Sequence, residues 1–353
     1  MSKITAAVIG LGRIASLLEE DALREKPCTH TGAIAANADC DLVAGCDIDE
    51  ERRRLYSEKW QVPVYADAAE MLRIHKPQIL VIATHPDTHY PYCRLAAQNG
   101  VPLVICEKPL ADTIGSARKI ARFENNGPVI ITNHERRYSA DYIRAKEILA
   151  SVALGKLLSI RAVLYMGINK RLIDVFWHDG THLADAIMYL TGMSLKHSRR
   201  LGARLSARAG TAWLEGELRP DLSRLYLSQR RGGAKGTEVK QIQKERCSPI
   251  PVLIEVGAGR DHLVFEIEFS CEKGRLRIGN GVFEIWESVP SPYAEKFRSL
   301  KQGSEIFEGP TGYFSAMLAD AVACVHDSER RPCSGAADGL RVIEYLNSVK
   351  AWR

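Results

Sequence analysis

Three stretches of this chain put reactive side chains where a ligand would need them. The first is Cys106-Glu107-Lys108-Pro109, directly after the apolar run Val101 to Ile105. A buried strand has no use for a charged pair at its exit. In an open α/β sheet, ligands sit beyond the carboxyl ends of the strands, so Lys108 is placed where a cofactor and a substrate meet. A solvated loop lysine is the ordinary alternative. The second stretch is Gly10-Leu11-Gly12-Arg13-Ile14-Ala15, a GxGxxA form of the dinucleotide fingerprint after the strand Ile4 to Ile9. Gly10 permits a tight turn, Gly12 lets the backbone approach a pyrophosphate, and Ala15 keeps the following helix close to the sheet. The third is Phe176-Trp177-His178-Asp179-Gly180-Thr181-His182-Leu183-Ala184-Asp185. If one helix begins early enough, His178 and His182 share a face, with Asp185 a turn further on.

Together these groups suit the interconversion of an alcohol and a carbonyl. That chemistry needs a nicotinamide, a donor for the substrate oxygen as its charge changes, and a proton relay. Lys108 suits the second task, and His182 suits the third or shares the second with Lys108. For the histidine pair a metal site competes, but zincins carry a Glu beside the first His and none is present, so no metal is expected. The structural alternative has Asp179 capping a helix and the histidines packing on Trp177.

The elements that must position these groups follow in order. The strand Asp41 to Cys46 ends in Asp47, placed to accept from the adenosine ribose hydroxyls and to repel a 2′-phosphate, which favours NAD over NADP. Asp47 lies further from the glycines than the usual spacing, and the polar segment Glu19 to Thr31 reads as an insertion between helix and strand. Helices follow at Glu50–Trp60 and Asp67–His75. The strand Ile79 to Ala83 exits into Thr84-His85-Pro86-Asp87-Thr88-His89, at the same sheet edge as Gly10 and Lys108. Tyr92–Gly100 and Ala111–Asn125 read as helices, Pro128–Thr132 as a strand, and Tyr138–Ala153 as a helix. Period-two alternation then marks Leu157–Met166, Pro251–Val256, His262–Phe269, Arg275–Ile278 and Val282–Trp286 as a largely antiparallel sheet. Arg219 to Pro249 reads as loop-rich. Helices at Tyr313–Asp327 and Ala336–Trp352 close the chain. The expected fold class is α/β. A Rossmann doubly wound parallel sheet over 1–125 precedes an α+β domain with a large, mainly antiparallel open sheet over 126–353.

With 353 residues, two domains are the natural expectation. Scattered basic residues and a net charge of only +5 argue against a nucleic-acid partner. No apolar stretch reaches membrane-spanning length. Nine cysteines without a CxxC pair, and a start that runs from Met1 straight into a strand, point to a reducing, cytoplasmic setting.

The sequence resembles the Gfo/Idh/MocA oxidoreductase family. The residues that carry this are Gly10-Leu11-Gly12, Cys46-Asp47, the Ala83-Thr84 loop with His89, and Glu107-Lys108-Pro109. Arg136-Arg137-Tyr138 and His182 with Asp185 ahead of Gly192 complete the set, in order along the whole chain. The resemblance implies that Lys108 contacts the reacting hydroxyl or carbonyl, that His182 assists, and that the Lys108–Pro109 peptide is cis. It also implies substrates among sugars, inositols, nucleotide sugars and polyols with NAD(H) or NADP(H). Assembly as a homo-oligomer, dimer or tetramer, through the exposed face of the second sheet follows from the same source.

The chain departs from the family where many members have an Asp four residues before the catalytic His: here that position is His178, with Asp179 one residue out of register. A glycine pair upstream is replaced by Lys170-Arg171-Leu172-Ile173-Asp174, whose basic residues either bind an anionic substrate group or stay solvated. The expected catalytic residues are Lys108, His182 and His178. The cofactor is expected on Gly10, Gly12, Arg13, Ile14, Asp47, Thr84, His85, His89, Glu107 and Lys108. The substrate is expected on Lys108, Arg137, Trp177, Asp179 and His182. Two other activities fit the same motifs: an NAD-dependent glycosidase that oxidises its sugar transiently, and a nucleotide-binding protein without catalysis.

Overall fold

A computed structural model describes residues 3–168, 170–220 and 249–351. It divides into two compact units, Met1–Ile143 with Glu308–Asn347, and Arg144–Phe307 with Ser348–Arg353.

The first unit is built on β1 (Ile4–Ile9), β2 (Cys40–Cys46), β3 (Val64–Tyr65), β4 (Ile79–Ile82), β5 (Leu103–Cys106) and β6 (Val129–Thr132). They form one parallel sheet in the order β3-β2-β1-β4-β5-β6. The strand order reverses between β1 and β4, the switch point at which such sheets bind ligands. Every residue of β4 and β5 is buried, because both faces of the sheet are covered. Its helices are α1 (His30–Ala36), α2 (Glu50–Trp60), α3 (Ala68–His75), α4 (Pro86–Gln98), α5 (Ile114–Ala121) and α6 (Phe123–Asn126). α7 (Ala140–Ala150) contains the boundary between the units.

Two features differ from the sequence expectation. The Rossmann unit does not end at 125: β6 belongs to its sheet, and α10 (Tyr313–His326) and α11 (Ala336–Ala351) return to it from the end of the chain. Phe314, Met317, Leu318 and Ala321 of α10 join Ile4, Val8, Val81 and Ile105 in one core, while Ala336 and Ile343 of α11 join Leu80, Ile82 and Val104 in the other. A two-faced apolar sheet needs cover on both sides, and these late helices help supply it.

The second difference is the helix expected to open at Ile14. It makes one turn, with Ser16 N–H donating to Gly12 O (3.1 Å) and Leu18 N–H to Arg13 O (3.0 Å), runs on as a short 3-10 helix at Leu17–Glu20 and then breaks. It resumes at α1, where His30 N–H donates to Ile14 O (3.2 Å) and Thr31 N–H to Ala15 O (2.9 Å). The segment Glu19–Thr31 therefore interrupts the helix instead of following it. Thr29 caps the resumed helix through Gly32 N–H, and Glu19 accepts from Thr29 Oγ1 at 2.6 Å. Glu25 accepts from Thr311 and Gly312 backbone N–H groups, each at 2.8 Å, which ties the insertion to the start of α10.

The second unit holds α8 (Leu172–His178), α9 (Gly180–Thr191) and an eight-stranded sheet. Its strands are β7 (Leu157–Tyr165), β8 (Met193–Gly202), β9 (Gly210–Pro220), β10 (Ile250–Ala258), β11 (Val264–Cys271), β12 (Gly274–Gly279), β13 (Val282–Pro290) and β14 (Arg298–Gln302). The order is β14-β13-β12-β11-β7-β10-β9-β8, antiparallel except for the β7–β10 pair. β8, β9 and β14 are additional to the sequence expectation. Of the segment expected to be loop-rich, 221–248 lies outside the described residues. No helix among the described residues is long and apolar enough to cross a membrane.

Candidate active site

The strand exits of the first unit gather at one edge because β1, β2, β4, β5 and β6 run parallel. Gly10 leaves β1 with φ +87°, and a Cβ there would lie 2.7 Å from Ala83 O at the exit of β4. Only glycine satisfies both the dihedral and the contact. Gly12 differs: a Cβ there would meet only Arg52 Nη1, at 3.9 Å, so its backbone is open to an approaching pyrophosphate. This open cradle fits the dinucleotide that the fingerprint implies. Arg13 is exposed and Ile14 half-buried on the same turn.

Asp47 ends β2 and is 6% exposed. Its Oδ2 accepts Leu11 N–H at 2.8 Å and its Oδ1 accepts Asp49 N–H at 2.9 Å, so the carboxylate first braces the glycine turn. Arg52 Nη1 stands 3.7 Å from Oδ2, and Arg53 holds the carbonyls of Asp47 and Ile48 at 2.8 and 3.0 Å. Ile48, 85% exposed, adds an apolar surface at the tip of this loop. Arg52 is a residue that sequence reasoning missed. It sits in the run Arg52-Arg53-Arg54 of the helix Glu50–Trp60, where nothing local singles it out.

Thr84 and His85 lie at the exit of β4, with His85 at the N-cap of α4 and exposed. Thr84 Oγ1 accepts from Thr88 Oγ1 at 2.7 Å. His89, expected among the cofactor contacts, is instead fully buried. Its Nε2 lies 3.1 Å from Thr84 O and its Nδ1 3.2 Å from Leu110 O, so the ring bridges the loops after β4 and β5. Burial pushes its pKa down, against the pull of those carbonyls and of Glu107. Its task is to hold two loops in register.

Glu107 follows β5 and is 6% exposed, a costly place for a carboxylate unless it is paired. His30 Nε2 is 2.8 Å from Oε1, Asn133 Nδ2 donates to the same oxygen at 2.5 Å, and Lys108 N–H donates to Oε2 at 3.2 Å. Burial raises the carboxyl's pKa, but His30, Asn133 and Lys108 outweigh it and hold the group below its ordinary value. Neither His30 nor Asn133 carried a motif. The one available signal was a polar Asn133-His134 pair at the exit of the apolar run Val129–Ile131. Lys108 is half-buried, and its peptide bond to Pro109 is cis.

Arg137, expected at the substrate, is 3% exposed: Nη2 pairs with Asp338 at 3.1 Å and Nη1 donates to Cys333 O at 2.9 Å. It is an internal tie between the turn 135–138 and the start of α11, with no face for a ligand.

In the second unit the helix expected through Phe176–Leu190 is divided. α8 ends at His178, Asp179 stands between, and α9 begins at Gly180. The two histidines therefore belong to different helices, His178 exposed and His182 half-buried. The junction is tight, since a Cβ on Gly180 would come within 3.0 Å of the Phe176 ring. His182 N–H donates to Asp179 O at 3.1 Å and Thr181 Oγ1 to His178 O at 2.8 Å, which fixes both histidine backbones around the break. Asp179 lies 3.5 Å from Lys170 Nζ, and Arg171 makes a two-pronged pair with Asp174, 2.7 Å on each arm. Trp177 is half-buried with Lys350 Nζ 5.4 Å from its ring centroid, and Asp185 is buried. Lys108 thus belongs to the first unit, and His178, His182, Trp177 and Asp179 to the second.

Comparison with known proteins agrees with this architecture. Residues 4–134 match the Gfo/Idh/MocA family, described as an oxidoreductase family with an NAD-binding Rossmann fold. The inositol 2-dehydrogenase of Rubrobacter xylanophilus is 34% identical over 116 residues, 32% of this chain and 33% of that protein. The D-apiose dehydrogenase of Paraburkholderia graminis is 27% identical over 248 residues, 66% of this chain and 62% of that protein. The chain thus spans less than two thirds of either relative's length. A crystal structure of a dehydrogenase from Chromobacterium violaceum shares the fold, with TM-score 0.72 and 16% identity, covering 100% of this chain and 96% of that one.

Proposed function

With residues 4–134 matching the Gfo/Idh/MocA oxidoreductase family, we propose that the protein is an NAD-dependent dehydrogenase. It interconverts a secondary alcohol and a carbonyl on a sugar, polyol or sugar derivative. The observation that carries this reading is the position of Lys108. It stands at the carboxyl edge of the sheet that also presents the open Gly12 turn and Asp47, beside a buried, fully hydrogen-bonded carboxylate. The printed activities of the relatives, on inositol and D-apiose, support a polyol or sugar substrate.

Bound NAD supplies the hydride acceptor. Gly10 and Gly12 admit its pyrophosphate, with Arg13 and Ile14 on the same turn, and Thr84 and His85 border it from β4. Asp47 accepts from the ribose hydroxyls and favours NAD over NADP. Lys108 Nζ donates to the substrate oxygen and exchanges a proton with it, and His182 relays that proton. Trp177 and Asp179 contact the substrate, and His178 takes the position where related proteins carry an acid. The protein works in the cytoplasm as a homo-oligomer joined through the exposed face of the β7–β14 sheet.

The test is a screen of sugars, polyols and sugar acids with both cofactors, read by the absorbance of reduced nicotinamide. Lys108→Ala is expected to lower turnover by about 10²–10⁴-fold while NAD affinity changes less than about twofold, because Lys108 acts on the substrate oxygen. Unchanged turnover would remove the assignment. Loss of a glycosidic bond without accumulation of reduced cofactor would make the protein a glycosidase instead.

A further inference from the structure

Glu107 draws its partners from separate stretches of chain. His30 comes from α1, Asn133 from the exit of β6, and Lys108 from the next position; His89 of α4 is a further titratable group that feels the charge of Glu107. Since Oε1 can only accept, the His30 ring must carry its hydrogen on Nε2. His30 is 2% exposed and packs edge-on against Phe314 of α10, with ring centroids 5.1 Å apart.

Its backbone is placed with equal care. Through the bond to Ile14 O, His30 starts the resumed helix directly on the glycine turn, although fifteen residues of chain lie between them (14 to 30). Glu19 and Glu25 fasten that intervening loop at both ends, the second at the start of the helix that carries Phe314. One residue is thereby keyed by its backbone to the cofactor turn and by its ring to the carboxylate beside Lys108.

We propose that His30 is a positioning residue for Lys108. It keeps the Glu107 carboxylate charged and aimed, so that the turn receiving the cofactor and the lysine handling the substrate oxygen are one rigid piece. This deepens the reading above and rests on it for the role of Lys108, but its test does not require turnover. A carboxyl in this burial would otherwise take up a proton, and the three donors hold it ionised. Without the His30 donor, Glu107 neutralises or turns away, and the Lys108 backbone N–H loses the acceptor that fixes it.

The experiment is trace acetylation of the full-length protein with acetic anhydride at neutral pH, with Lys108 labelling measured by peptide mass against the other lysines. His30→Phe is expected to raise Lys108 labelling about tenfold, because a turn released from its carboxylate opens locally. His30→Gln, whose amide N–H can take the place of Nε2, should return it to within about threefold. Glu107→Gln should raise it as far as His30→Phe, and the double variant no further than either, since both act through one carboxylate. If His30→Phe shows no cooperative melt, His30→Asn, whose shorter amide stops short of Glu107, replaces it.

Labelling within about twofold of wild type in the His30 variant, while Glu107→Gln raises it, would reduce His30 to a space-filling residue. No change in either would mean that the Glu107 carboxylate does not hold Lys108 in place. A Lys108→Ala protein that still turns over is a separate failure, of the catalytic reading alone.

Discussion

The two sheets of this protein assign their residues in opposite ways. In the parallel sheet, Leu80 and Ile82 of β4 enter one core while Ile79 and Val81 enter another, so neither face has room for a polar side chain. Chemistry is confined to the strand ends, where Gly10, Asp47, Glu107 and Asn133 follow in turn. In the eight-stranded sheet, β11 buries Phe265, Ile267, Phe269 and Cys271 and turns the residues between them to the other side. That second face carries a set of ion pairs. Arg277 reaches Glu266 at 2.8 Å and Glu284 at 3.4 Å, Arg275 reaches Glu268 at 3.2 Å, and Arg275 lies over Trp286 at 4.6 Å. Its charges answer one another, and His178 and His182 stand off the sheet, around the α8–α9 junction. A sheet covered on both sides keeps its function at its edge, whereas a sheet with one polar face can use the face for structure or assembly.

The sharpest way to break that contrast is at a strand exit. Gly10→Ala forces a positive φ and a Cβ 2.7 Å from a backbone carbonyl that cannot move without disturbing β4. Dinucleotide binding should be lost in titration calorimetry, and stability should fall by about 3 kcal/mol or more in urea unfolding, from strain and overpacking together. A variant that still binds NAD would show that the turn tolerates another geometry.

Neighbouring positions on one strand test the faces themselves. In β4, Leu80→Ala and Val81→Ala should both destabilise, by about 2–4 kcal/mol each, because each empties a different core. In β11, Ile267→Ala should cost about as much, but Glu268→Ala less than about 1 kcal/mol. Urea midpoints for the four variants suffice. Equal losses at Ile267 and Glu268 would erase the distinction between the sheets.

The same contrast decides what the sequence could reveal. β4 and β5 were legible because burial on both faces leaves an unbroken apolar run, and β11 and β12 because one buried face leaves alternation. β8 was not: Met193–Gly202 buries only Leu195 and carries Lys196, Arg199 and Arg200, so its strand character comes from its partner β9 and not from its own pattern. Lys108, Gly10 and Asp47 could be placed from local spacing. His30 and Asn133 could not, since each acquires meaning only through Glu107, 77 and 26 positions away. The division of the histidine helix at Asp179 was masked by the apolar pattern on either side, although Asp179, Gly180 and Thr181 are poor helix formers, and Gly180 packs closely on Phe176 there.

The smallest expected effect concerns the polar face, and its size carries information. Arg277 and Glu266 are each about a third exposed, at 33% and 27%, and half-exposed pairs contribute at most about 1 kcal/mol, less in salt. Arg277→Ala should therefore lower the urea midpoint only slightly in dilute monomeric protein. If copies of the chain associate through this face, the same arginine and its two glutamates become buried together in the assembly. Removing one partner then leaves uncompensated charge, with a loss of about 3–5 kcal/mol. The measurement is made twice, at concentrations below and above the association midpoint found by sedimentation. A penalty that grows with concentration places the interface on this sheet. A penalty that stays small while oligomers form places it elsewhere, and leaves the charge ladder a feature of the folded chain alone.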